Sequence, residues 1–464
     1  MVASGRTCAT KGRVGALPVH ANIAVMLDRK AGSAAAGVTG LWSGAPPILL
    51  PMAAYHGTLA AVRCLGAAGV RVTVAEGGRF VPGVWSRFVS RRVQCPSPEQ
   101  PDRFIEWLLD FGAREPGHVL CPTSDSVAWL YARHREQLAN HFVLTSPSLQ
   151  ATYLLLNKVR LQAAAEAVGL SMPRTWVPHN ASAFPEIEAE ARFPVVIKPQ
   201  TQVLFRPQAK GLPVSRPQEL RRTYAEFASR TSYAPCLLAH DPGVSRAAVQ
   251  EYVPEASEGV YGISGFIDET GEQFAARASR KVLQQPRNLG VGLCFEEADL
   301  QPDLLSKIVA LCKRVGYHGI FEAEFIARDG KLLLIDFNPR FYGQMAFDVA
   351  RGLPQPLLAY EAAIGHRGSL RRRIEAARST AARRGHVYCR SLELKLLLVL
   401  RRLFRRMSRQ EAKRWWAWLA KHRGSTVDAV FDPDDRLPSS VEALHHFAGY
   451  VRHPRAFLRQ VVWG

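Results

Sequence analysis

No Cys-x-x-Cys pair occurs in this 464-residue chain, whose eight cysteines (Cys8, Cys64, Cys95, Cys121, Cys236, Cys294, Cys312, Cys389) lie scattered. That spacing argues against a zinc site or a disulfide scaffold and favours a reducing, cytoplasmic setting. No run approaches the roughly 18 apolar residues needed to cross a bilayer. The basic, Gly- and Ala-rich N-terminus lacks the apolar core and cleavage site of a secretory signal, and residues 1–45 are expected to be disordered. The turn Tyr55-His56-Gly57 lacks the Gly-x-Gly-x-x-Gly fingerprint, which argues against dinucleotide binding there. No hydrolase triad is recognisable.

Abundance is equally uneven. The formal charge of +20 is concentrated at one end: residues 366–464 hold 22 Lys/Arg against 8 Asp/Glu, whereas the first 365 hold 38 against 32. The basicity therefore belongs to the C-terminal segment and says little about chemistry upstream. The length allows two or three domains, and an apolar fraction of 47% fits a globular protein.

The most informative stretch is Gly319–Gly343, GIFEAEFIARDGKLLLIDFNPRFYG. Two apolar runs flank Asp329-Gly330, a strong hairpin signal. Period two places Glu322 and Glu324 on one face of the first run, and the second ends in Asp336, Asn338 and Arg340. Carboxylate and amide oxygens are hard ligands suited to Mg²⁺, and arginine suits phosphate or carboxylate. The pattern predicts a magnesium–nucleotide site.

Upstream, Pro47–Glu76 reads as a β-α-β unit and hence a parallel sheet. A strand over Gly117–Cys121 runs into Thr123-Ser124-Asp125, where Ser124 or Asp125 suits a helix N-cap. Ser146–Leu170 reads as helical, with Asn157-Lys158 inside it. Phe193–Pro199 is an apolar strand carrying Lys198, a lysine expected to face anionic groups because an unpaired one would be costly to bury. The strand Ala247–Pro254 carries Gln250, Glu251, Tyr252 and Val253. Arg280-Lys281 sits on the strand Phe274–Leu283, either as a solvated edge or facing a phosphate-bearing cleft.

The ordered set Asn157-Lys158, Ile197-Lys198-Pro199, Gln250-Glu251-Tyr252-Val253, Glu324-Phe325 and Asp336-Phe337-Asn338-Pro339-Arg340 resembles the ATP-grasp enzymes. Within them it is similar to the carboxylate–amine ligase branch, near the D-aspartate ligase-like and carbamoyl-phosphate-synthase-like groups. The resemblance covers roughly Pro47 to Ala363 and implies an α/β architecture. A Rossmann-like pre-ATP-grasp domain would occupy 46–145, an ATP-grasp domain 146–365 with its lid at about 195–255, and a basic, mainly helical segment 366–464. It implies that Lys158 and Lys198 contact ATP phosphates and that Gln250 to Val253 form the adenine-reading hinge. It also implies that Glu258 takes the ribose and that Lys210 lies in a flexible phosphate-covering loop. Glu324, Asp336 and Asn338 would hold one or two Mg²⁺ ions, or Mn²⁺, and Arg340, with Lys198, Arg280 and Lys281, would serve catalysis. Glu324 is preferred to Glu322 because it directly precedes the Phe of the family pattern. One departure stands out: the family has Glu where this chain has Asp336. Aspartate is one methylene shorter, so bridging two metals would need a backbone adjustment, and one metal or a weakened enzyme are the alternatives.

The implied reaction activates a carboxylate as an acyl phosphate and joins it to an amine, with small-molecule substrates. A carboxylase or phosphotransferase is one alternative, although nothing resembles a biotin-carrier segment; a catalytically weakened ATP-binding protein acting at a membrane surface is the other. Substrate pockets are expected around Thr123–Ser126, Arg280–Gly290 and Arg340–Gln344. Leu392–Lys421 reads as one basic amphipathic helix, for which three readings stay open. It packs on the catalytic body, it lies on an anionic inner-membrane surface, or, least favoured, it binds nucleic acid.

Overall fold

The computed structural model describes residues 42, 44–206, 211–253, 259–286, 290–379 and 385–458. The expectation for residues 1–45 thus falls almost wholly outside the described residues.

A five-stranded parallel sheet comes first: β1 (Ile48–Pro51), β2 (Val72–Ala75), β3 (Arg91–Val93), β4 (Val119–Leu120) and β5 (Val143–Leu144), in the order β3-β2-β1-β4-β5. β1 and β2 are wholly buried, as expected of parallel strands covered on both faces. The helix His56–Ala67 crosses between them, making the β-α-β unit expected from the sequence. Gly57 in its first turn is required by close packing. A Cβ there would lie 2.5 Å from the Tyr342 carbonyl oxygen, so glycine lets this helix end abut the chain just after the hairpin.

Next come β6 (Thr175–Trp176), β7 (Val195–Lys198), β8 (Phe205–Arg206), β9 (Leu212–Val214), β10 (Ser232–Tyr233) and β11 (Ala248–Glu251). Four of them form an antiparallel sheet ordered β6-β11-β7-β9, which begins at Thr175, some way before the expected lid. The helical stretch expected over Ser146–Leu170 is two helices, Leu149–Leu156 and Lys158–Glu166. Asn157 leaves helical geometry and caps the second helix, its side-chain oxygen accepting from the Val159 and Arg160 amides. That break turns Lys158 into the first residue of a new helix.

The largest sheet has seven strands: β12 (Val260–Ile267), β13 (Phe274–Gln285), β14 (Val291–Ala298), β15 (Gly319–Arg328), β16 (Lys331–Asn338), β17 (Val387–Cys389) and β18 (Thr426–Asp428), in the order β16-β15-β12-β13-β14-β17-β18. Asp329 and Gly330 both have positive φ and close β15 onto β16 in a two-residue turn, as Asp-Gly predicts. The C-terminal segment is mainly helical, and through β17 and β18 it also extends the central sheet.

The single helix expected over 392–421 is also corrected: the helices are Ser391–Leu403 and Arg409–Lys421. Arg405 adopts positive φ between them, and Ser408 caps the second by accepting from the Glu411 amide. Leu394, Leu397, Leu398, Ala412 and Trp415 bury against Leu293, Cys294 and Cys389, and Trp418 donates to Glu296 at 2.7 Å. One face of the pair therefore packs on the body. No helix among the described residues is long and apolar enough to cross a membrane.

Two buried ionic knots join the layers. Arg63 donates to Asp435 at 2.8 Å, and Asp435 also accepts from Ser86 and the Arg87 amide, pinning the C-terminal segment to the first sheet. Asp348 accepts from Arg351, Ser264 and Tyr342, all in the core. Breaking one partner of a buried pair leaves an uncompensated charge. Asp348→Ala is therefore expected to lower unfolding free energy by about 3–5 kcal/mol in denaturant titration. The exposed pair Arg371–Glu375, removed as Glu375→Ala, is expected to change it little.

Candidate active site

The hairpin carries one irregularity, and it decides what faces what. From the turn, Arg328 pairs Lys331 and Phe325 pairs Leu334, but beyond that point Glu324 pairs Asp336 and Glu322 pairs Asn338. One extra residue, Ile335, has entered β16, so Ile335 and Asp336 together oppose Glu324. A β-bulge of this kind re-aims the side chains beyond it. Phe325, Leu334, Ala323 and Phe337 stay in the core on one face, while Glu322, Glu324, Asp336 and Asn338 gather on the other.

Around that face the charges interlock. Asn338 donates to Glu322 at 3.0 Å, and Gln344 also donates to Glu322. Arg340 donates to Asn338 at 2.8 Å and to Asp125 at 2.6 Å, tying the end of β16 to the helix Asp125–Arg133 of the first sheet's layer. Ser124, not Asp125, caps that helix, accepting from the Val127 amide, which leaves Asp125 for the arginine. Lys158 donates to Asp336, and Lys281 to Glu324 at 2.6 Å. Burial, with Glu324 beside it, pushes the Glu322 carboxyl up to about 7. Burial works against the Lys281 ammonium, but Glu324, Glu322 and Asp336 outweigh it and hold its pKa above the usual value.

Arg280 and Lys281 do not act as a pair. Successive residues on a strand point to opposite faces: Lys281 is buried against Glu324, while Arg280 is 58% exposed and faces Glu296 at 3.5 Å. Arg280 is thereby corrected out of the site.

Lys198 donates to Gln250 at 2.6 Å across the β7–β11 pair, so these two residues share a face of the four-stranded sheet. The Glu251 carboxylate accepts from Arg328 at 2.7 Å, linking that sheet to the hairpin. Beside them Val253, Val260, Ile326, Leu333 and Ile335 form an apolar cluster, and Tyr252 keeps its place in the sheet through its amide, which donates to the Pro194 carbonyl. Lys210 and Glu258 lie outside the described residues.

A cavity of about 630 Å³ opens over the hairpin face. Its lining includes Lys281, Glu322, Glu324, Asp336, Asn338 and Arg340, and draws on all three regions expected to shape substrate pockets: Thr123–Ser126, Arg280–Gly290 (through Lys281, Gln285, Pro286 and Gly290) and Arg340–Gln344. Residues 287–289 are outside the described set. Sequence reasoning missed Tyr388 and Arg390, which line the same cavity from the C-terminal segment. No local pattern marks them, because they reach the site only when β17 docks on β14.

Glu324 and Asp336 oppose each other and Asn338 and Glu322 form the next cross-strand pair; all four bring to the cavity lining hard oxygens of the kind a divalent cation takes, paired in this structure with Lys281, Lys158, Arg340 and Gln344.

No family model matches the chain. A D-aspartate ligase of Enterococcus faecium (strain Aus0004) is 22% identical over 287 residues, covering 58% of this chain. The chain spans 65% of that relative's length. Among solved structures, the biotin carboxylase domain of 2-oxoglutarate carboxylase from Hydrogenobacter thermophilus, in complex with MgADP, ADP and bicarbonate, is similar with a TM-score of 0.54 at 16% identity. That likeness covers 68% of this chain and 69% of the other. The L-amino acid ligase of Bacillus licheniformis is similar with a TM-score of 0.50 at 14% identity, over 68% of this chain and 73% of that one.

The metal assignment is open to a direct titration. Asp336→Asn is expected to raise the Kd for Mn²⁺, followed by electron paramagnetic resonance, at least ~10-fold, the lower end for losing even an outer partner of a metal site. Arg280→Ala should leave it unchanged. Equal affinities in all three proteins would remove Asp336 from the metal site.

Proposed function

We propose that this chain, which has the ATP-grasp fold, is an ATP-dependent ligase that joins a carboxylate to an amine. The observation that carries the reading is the single hairpin face on which Glu322, Glu324, Asp336, Asn338 and Arg340 meet Lys281 in the lining of one cavity, with Lys158 bonded to Asp336. The D-aspartate ligase relative supports this class of reaction.

In this reading the triphosphate lies between the lid sheet and the hairpin. Val253, Val260, Ile326, Leu333 and Ile335 offer an apolar surface for a purine, and Gln250 to Val253 form the hinge beside it. Lys198 and Lys158 meet the phosphates, Lys210 covers them, and Glu258 holds the ribose. Glu324, Asp336 and Asn338 would hold Mg²⁺, with Mn²⁺ accepted by the same oxygens; the ion supplies charge neutralisation at the phosphates. The small-molecule substrates enter the 630 Å³ cavity.

The chemistry follows from charge. A carboxylate approaching a γ-phosphate is an anion approaching an anion, so Lys281 and Arg340 must offset the repulsion and the charge that develops. One carboxylate oxygen bonds to phosphorus as ADP leaves. The amine nitrogen then bonds to the acyl carbon, phosphate departs, and the amine proton passes to solvent. The acyl phosphate is easily hydrolysed, so the reaction requires water to be kept from it. Asp125 and Asn338 hold the Arg340 guanidinium from two sides, which keeps it placed before substrate arrives. The bulge opposite Glu324 favours a competent metal pair over a weakened site. The scattered cysteines support a cytoplasmic location.

Incubation with ATP, Mg²⁺ and pools of carboxylates and amines should release ADP only when both partners are present. Release with bicarbonate and no amine would instead identify a carboxylase. Lys281→Ala is expected to lower the rate at least ~100-fold, as for loss of one preorganised group at developing charge. Arg280→Ala should stay within about threefold, the size expected of a screened surface charge.

A further inference from the structure

The cavity has a second cationic wall, remote in sequence from the hairpin. We propose that Arg390, delivered by the C-terminal segment, binds a carboxylate that does not react, so that one substrate is an amino acid held through its free carboxylate. This rests on the cavity being the substrate site of the proposed ligase.

Four observations meet there. Arg390 follows β17 directly and lines the cavity with Tyr388, His56 and Gly57. One edge of its guanidinium is fixed: Nη2 donates to Glu393. Among the described residues its Nε–H has no hydrogen-bond partner. Arg390 is thus held by one side and retains donors for another acceptor, the fork geometry that suits a carboxylate.

The other ionisable groups near Arg390 have partners of their own. Burial and the nearby Arg390 push the His56 imidazole down to about 3, so His56 stays neutral. Glu442 faces His56 at 3.5 Å, and its burial raises its carboxyl pKa. Asp428 is occupied by the Ser391, Val430 and Phe431 amides. The helix His56–Ala67 starts at the cavity and points its positive end there. Thr123, 3% exposed and part of the lining, has a hydroxyl with no partner among the described residues, a further donor for a bound ligand.

A metal is the competing use of this cluster, since ligand atoms of His56, Glu393 and Glu442 lie within 4.8 Å of one another. Glu393, however, is already paired with Arg390, and a guanidinium at that position repels a second cation. Glu393 is better described as a positioning residue for Arg390. Tyr388 completes the link by donating to the Gly343 carbonyl at 3.0 Å, which fixes this wall to the loop that follows Arg340. The hairpin end of the cavity already holds the phosphate-directed cations, so Arg390 is left for the part of a substrate that stays unchanged.

The test is direct binding to the full chain, without turnover. Thermal-shift titrations would use aspartate, glutamate and alanine in both enantiomers, beside their α-carboxamides, on the unmodified protein, Arg390→Gln, Arg390→Lys and Glu393→Gln. At least one free acid should stabilise the unmodified protein with its amide ineffective. Arg390→Gln should weaken that binding at least tenfold, and Arg390→Lys and Glu393→Gln by less. A nucleotide-analogue titration on each variant checks that the fold and ATP cleft persist. Equal binding of acids and amides, no stabilisation by any acid, or unchanged affinity in Arg390→Gln would overturn the proposal. Absence of ADP release with every substrate pair would count against the ligase reading alone and leave this binding result standing.

Discussion

One extra residue in an edge strand sets the chemistry of this protein. Without the register shift the ladder begun at Arg328 and Lys331 would continue regularly, putting Ile335 opposite Glu324 and Phe337 opposite Glu322. The bulge instead puts Asp336 and Asn338 opposite the two glutamates while Leu334 and Phe337 both stay in the core. A register change of one residue exchanges the faces of a strand, so the same local sequence would otherwise bury its acids and expose its phenylalanine. Everything downstream inherits that choice. Arg340 leaves the strand aimed at Asp125, and the chain after it passes close enough to the helix His56–Ala67 that only glycine fits at position 57.

Concentrating carboxylates on one face carries an electrostatic penalty, visible in the Glu322 carboxyl pushed up to about 7. The fold offsets it with cations from separate layers. Lys281 arrives from β13 and Lys158 from a helix that begins only because Asn157 interrupts its predecessor. Each lysine is matched to a different carboxylate, so the site is held before any ligand enters. Such preorganisation is what electrostatic catalysis requires, since the groups need not move when charge develops. The C-terminal segment belongs to the same construction through the Arg63–Asp435 pair, the Tyr388–Gly343 bond and the two strands it adds to the sheet.

What the sequence disclosed was local. Asp329-Gly330 announced its turn, Ser124 its cap, and the first β-α-β unit its parallel pairing, because each depends on residues a few positions apart. Glu324, Asp336, Asn338 and Arg340 could be named from one hairpin. What it withheld was set by distant contacts. β17 and β18 gain their stability from neighbours far along the chain, and Arg390 has meaning only once β17 is docked. The amphipathic pattern over 392–421 ran through the break before Ser408, since periodicity reports a favoured face and not continuity. The adjacency of Arg280 and Lys281 suggested a shared role that strand alternation forbids.

The most direct measurement is a crystal structure of the chain with Mg²⁺ and a non-hydrolysable ATP analogue. The metal should contact Glu324, Asp336 and Asn338, the phosphates should lie beside Lys158 and Lys198, and the purine should rest on Val253 and Ile335. A nucleotide bound away from the hairpin face, or a metal held without any of those three side chains, would contradict the assignment.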